Sequence, residues 1–63
     1  MKIKCGRYTY ECDLEVKVGD VVLVSVSPAW QDTFGKTAER LVTEIGSDYQ
    51  GPCERVLEII DQV

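Results

Sequence analysis

The chain has 63 residues, with 7 Lys and Arg against 11 Asp and Glu and a net charge of −4. That length allows one small domain spanning residues 1–63, with a modest core that covers roughly 60% of the unfolded chain's surface. An apolar fraction of 44% with 29% charged residues excludes a disordered tail, and no apolar run nears the roughly 20 residues a membrane helix needs.

Met1 leads directly into the alternating stretch Lys2-Ile3-Lys4-Cys5, with no secretory signal, so a cytoplasmic location is expected. Cys5, Cys12 and Cys53 are odd in number, which argues against a disulfide framework, and their gaps do not match paired zinc-ligand spacing. They read as small apolar core residues, and neither a metal nor a cofactor is expected.

Val, Ile and Thr supply seventeen residues and Ala two, a balance that favours pleated over helical backbone. Ile3 and Cys5 mark the buried face of a first strand, and Gly6-Arg7 supplies a tight hairpin turn. Tyr8, Tyr10, Cys12, Leu14, Val16 and Val18 then alternate with polar residues, as one bent strand or as a strand followed by an extended arm. Gly19-Asp20 is the next turn. Val21 to Val26 is apolar on both faces and reads as the central strand.

Ser27 to Lys36 lacks periodicity and carries Pro28 and Gly35, so it reads as a loop. Thr37 to Ile45 reads as one strand, with Leu41, Thr43 and Ile45 on one face and Val42 and Glu44 on the other. Gly46 to Pro52 is a second loop. Cys53, Val56, Leu57, Ile60 and Val63 stand at helical spacing, yet the adjacent β-branched Ile59 and Ile60 suit a strand. Both readings of the C-terminal segment stay open, with strand preferred. The expectation is an all-β domain of about five strands, forming a strongly bent sheet or partly closed barrel.

Catalysis finds little support. The chain has no His, so the usual general base near neutral pH is missing, and no phosphate-cradling loop or nucleophile motif occurs. An enzyme with a small-molecule substrate is therefore not expected. Trp30 and Phe34, beside Pro28 and Lys36, are the best candidates for recognition, because a small core cannot easily absorb both rings. Rings next to a cation can stack on bases or anchor a protein interface; either ring can instead fold back as a lid on an open barrel end. Tyr49 adds a third ring. An acidic chain repels a polyanion at long range, so charge alone favours a protein partner, although Lys2, Lys4 and Arg7 cluster, as do Lys36 and Arg40.

The order Tyr8-Thr9-Tyr10, an acidic-apolar arm, Val18-Gly19-Asp20 before a Val-rich strand, and Phe34-Gly35-Lys36 before the next strand resembles a known domain. It is similar to the N-terminal, 3′-end-binding domain of primosomal protein N-prime, the replication-restart helicase, over residues 8 to 61. The resemblance implies a small β structure whose pocket accepts the 3′-terminal nucleotide of a DNA strand. Tyr8 and Tyr10 would be the pocket aromatics, and Gly19 and Lys36 turn residues of the motifs. The family's central Asp is Thr9 here, and Ser27 to Thr33 intervene where the family is continuous. A free-standing domain of this size has the style of a phage or mobile-element product.

The expected function is thus non-enzymatic binding at a DNA end or within a replication assembly, through Tyr8, Thr9, Tyr10, Trp30, Phe34 and Lys36. The alternative is an acidic protein-interaction module that binds a host protein or itself through the Trp30 loop.

Overall fold

A computed structural model describes all residues from 1 to 63. The strands are β1 (Lys2–Cys5), β2 (Tyr8–Glu11), β3 (Val21–Ser25), β4 (Thr37–Leu41), β5 (Glu44–Ile45) and β6 (Glu54–Asp61). A 3₁₀ turn (Pro28–Trp30) and one helical turn, α1 (Gln31–Phe34), sit between β3 and β4. The six strands form one mixed sheet in the order β4-β3-β6-β2-β1-β5. Only the β2–β6 pairing is parallel.

The first hairpin follows from its turn. Gly6 has φ +67° and Arg7 does not enter positive φ, a combination that suits a two-residue turn closing Cys5 against Tyr8. The alternation from Tyr8 to Val18 resolves as a short strand and an extended arm. Tyr10, Cys12 and Val16 are buried, whereas Tyr8, Leu14 and Val18 are exposed. The arm ends in a turn where Asp20 N donates to Lys17 O (3.0 Å). Gly19 suits that turn because its φ is +100°, a backbone angle that a side chain would strain.

β3 has the internal position that its double-sided apolar sequence implies, between β4 and β6. The stretch from Thr37 to Ile45 is not one strand, and this break makes the strand count six rather than five. Val42 exchanges hydrogen bonds with the turn before β3, accepting from Gly19 N and donating to Asp20 O (2.9 Å each). The next residue, Thr43, donates to Lys4 O on β1 (2.8 Å). Neighbouring residues thus bind opposite halves of the sheet, and the chain bends between them. Val42 is buried while Leu41 and Ile45 are exposed, so the expected two-face division of this segment fails at the bend. The sheet is strongly curled but not closed, because β4 and β5 share no ladder.

The C-terminal segment is strand, and its helix-like spacing has a structural origin. β6 pairs with β2 at Glu54 and Arg55, then with β3 from Val56 to Asp61. Two register slips against β3 insert Leu57 and Ile60 as extra residues. Each bulge adds one residue to the period. The inward residues Val56 and Ile59 are therefore three apart, and Leu57 and Ile60 are exposed.

The core holds Ile3, Cys5, Tyr10, Cys12, Val16, Val22, Val24, Val42 and Val56, with Ala38 and Ile59 packed against it. Cys5 and Cys12 are buried as expected, and Cys53 is half-buried. No helix is long and apolar enough to cross a membrane.

Candidate functional site

The segment expected to be a plain loop, Ser27 to Lys36, is mostly helical turn. Pro28 opens the 3₁₀ turn, where its missing amide hydrogen costs nothing. Gln31 Nε2 donates to Val26 O (2.9 Å), and Gly35 N to Gln31 O (2.9 Å), so the turn is tied at both ends. Residues four apart on a helical path share a face. Trp30 and Phe34 accordingly sit together, ring centroids 6.0 Å apart and planes tilted by 44°. Both remain well exposed, at 59% and 61%, so neither ring is absorbed into the core.

These rings form one wall of a cleft of about 400 Å³. Tyr8, Thr9, Tyr10 and Glu54 supply another side, and Val24, Ala38 and Arg40 also line it. Strand pairing explains the convergence. Val24 faces Ala38 and Val22 faces Arg40 across β3 and β4, so Ala38 and Arg40 share the inward face of that hairpin. Tyr8 and Tyr10 lie two apart on β2 and share one face.

Five of the six residues expected from the sequence border this cleft: Tyr8, Thr9, Tyr10, Trp30 and Phe34. Their situations differ. Tyr8 is 57% exposed and offers its ring, whereas Tyr10 is only 8% exposed and belongs to the core as well. Thr9 Oγ1 is hydrogen-bonded to Ser47 Oγ (2.9 Å), which ties the strand to the β5–β6 loop. Lys36 does not line the cleft; its carbonyl accepts Val26 N (3.0 Å) at the start of β4. Arg40 and Glu54 are the charged residues that do. The signal for Arg40 was its even-numbered place behind Ala38 on an alternating strand. Glu54 carried no such signal, because the parallel Tyr10–Glu54 pairing joins distant parts of the chain.

A second, polar cleft of about 540 Å³ adjoins the first through Thr9. Lys4, Arg7, Glu44, Ser47, Asp48 and Tyr49 line it, and Lys4 pairs with Glu44 at 3.5 Å. The cations therefore do not merge into one patch. Arg55 pairs with Asp13 (2.9 Å), Lys17 Nζ donates to Val63 O (3.1 Å), and Lys2 Nζ donates to Tyr49 O.

Chemically, the aromatic cleft offers three exposed rings, one guanidinium and one carboxylate. That set can stack on planar groups and hydrogen-bond at their edges. Cys5, paired with Tyr8 across the first hairpin, has its thiol pushed up in pKa chiefly by burial, against the opposing pull of Arg40. A buried thiol held in its neutral form is a poor nucleophile. No family model matches the chain, and neither does any curated protein or solved structure.

Proposed function

We propose that this domain is a non-enzymatic binding module that takes the end of a DNA strand into the aromatic cleft. Terminal bases stack on Tyr8, Trp30 and Phe34, and Arg40 meets a phosphate or a base edge. The observation that carries the reading is the meeting in one cleft of two aromatic groups from separate parts of the chain. The Tyr8-Thr9-Tyr10 motif comes from β2, and the Trp30–Phe34 pair from the β3–β4 connection. Adjacency to the Lys4 and Arg7 cleft gives the strand a route for its backbone. A role in a replication assembly, and a phage or mobile-element origin, rest on the resemblance to the primosomal N-prime domain.

One observation favours a second reading, a protein-interaction module anchored on Trp30. The cleft holds one cation beside Glu54, and the remaining cations are dispersed. Nucleic-acid affinity draws mostly on clustered Lys and Arg.

The test is fluorescence anisotropy at low salt, with a forked DNA bearing a free 3′ end beside the same fork blocked by a 3′-phosphate. Tighter binding to the free end is expected. Tyr8→Ala and Trp30→Ala should each weaken it about tenfold or more with the circular dichroism unchanged, since one stacked base is worth about 1–3 kcal/mol. Lys36→Glu should have a smaller effect than either. Equal binding to both forks overturns end recognition, and no binding to either favours the protein-partner reading.

A further inference from the structure

The aromatic cleft uses the inward face of the β3–β4 hairpin; the outward face and the free edge of β4 are built differently. β4 is the terminal strand of the sheet, so one side of its backbone has no partner. Which side is set by hydrogen-bond phase. Val26 N donates to Lys36 O at one end of the ladder and Val42 N to Asp20 O at the other. Even-numbered residues are therefore the hydrogen-bonded pairs with β3, and the N–H and C=O of Thr37, Glu39 and Leu41 point away from it. Only the Glu39 carbonyl is covered, by Arg40 Nη1 at 3.1 Å.

The side chains of the same residues form the outward face. Leu41 lies opposite Val21, which lies opposite Asp61; Glu39 lies opposite Leu23, which lies opposite Glu58. Residues opposite each other share a face, so an apolar strip of Leu41, Val21 and Leu23 is interleaved with three carboxylates. Leu41 is 54% exposed, none of the three carboxylates is in an ion pair, and these rows contain no cation.

We infer that this edge accepts an extended basic segment of a partner protein, added as a seventh strand alongside β4, with a Lys or Arg and an aliphatic residue two positions apart so that both stand on the outward face. Main-chain bonds to Thr37, Glu39 and Leu41 supply register, its cations meet Glu39, and its aliphatic residues extend the Leu41 strip. A second copy of this chain suits the edge less well. Two β4 strands paired antiparallel about Glu39 set that carboxylate against its own copy, and like charges directly opposite are destabilising. The same charge deters edge-to-edge association.

The test uses the full chain with a fluorescent Lys–Val peptide repeating Lys-Thr-Val-Thr, beside a Glu–Val control repeating Glu-Thr-Val-Thr, so that charge and aliphatic residue share one face. At low salt the Lys–Val peptide is expected to bind, and the amides of Thr37, Glu39 and Leu41 to shift and gain exchange protection. Glu39→Lys should weaken binding about tenfold or more, because it sets cation against cation. Leu41→Pro removes one outward N–H without touching a ladder bond, and should weaken binding while circular dichroism stays unchanged. Unchanged affinity in Glu39→Lys, amide shifts confined to the Tyr8 and Trp30 cleft, or edge amides already protected by self-association would each overturn the inference.

Discussion

Asp20 has no exposed surface, and its carboxylate is held by backbone donors rather than by an ion pair. It accepts Val63 N (3.0 Å) on one oxygen and Lys17 N (2.8 Å) on the other, and these two backbone donors hold its pKa below the usual carboxylate range. A folded-state pKa below the unfolded one stabilises the fold above the unfolded pKa, and that contribution is lost as pH falls through the folded value. Melting temperature should therefore drop on acidification below about pH 4. Asp20→Asn should lower it already at neutral pH, since one oxygen becomes a donor, and should flatten the acid limb. Thermal melts of both proteins from neutral pH to about pH 2 check this; a parallel acid limb in the variant would assign the effect elsewhere. The Gly19-Asp20 turn was legible in the sequence, but the inward carboxylate was not. Its second partner, Val63, lies at the far end of the chain, where no local spacing reports it. Lys36 shows the same limit. A cation beside an aromatic pair looks like part of their site, yet it is Arg40, in the same strand phase but further along β4, that lines the cleft.

β6 shows how a strand can imitate a helix. Its two bulges convert a period of two into inward residues spaced by three, so the apolar pattern alone was ambiguous and the β-branched Ile pair was the better guide. The consequence is a sharp contrast between neighbours. Val56 is 5% exposed and Ile60 44%. Val56→Ala should cost about 1–3 kcal/mol through lost burial and a residual cavity. Ile60→Lys should stay within about 0.5 kcal/mol, as surface changes usually do. Urea denaturation of the two variants distinguishes them; equal losses would place both side chains in the core. The same logic explains the other misread element. Thr37 to Ile45 has unbroken strand character, and nothing local marks the bend at Val42, which is imposed by bonds to a turn and a strand on opposite sides of the sheet. The helical turn at Gln31–Phe34 was missed because it is too short to show periodicity.

At the scale of the molecule, the two faces of one hairpin serve separate surfaces: the aromatic cleft inside and the acidic strip outside. Sheet class, the β1–β2 hairpin and the central place of β3 followed from alternation and turn residues, because those are local properties. The order of strands did not, since it depends on pairings between distant segments. β6 is the strand that lies between β2 and β3 and pairs with both, and it is the last strand in the chain. Until it inserts, β2 and β3 each keep an unpaired edge and the hydrophobic residues between them are open to water. Closing long loops before any contact rewards them slows folding. Refolding followed by far-ultraviolet circular dichroism should thus take milliseconds to seconds, and a chain ending before Glu54 should remain unfolded; a microsecond phase or a folded truncation would refute this dependence. The vacant slot also fits the β6 of another molecule as well as its own. Crowded refolding should accordingly trap swapped dimers, in which each copy completes its neighbour's sheet across the Gly46 to Pro52 connection.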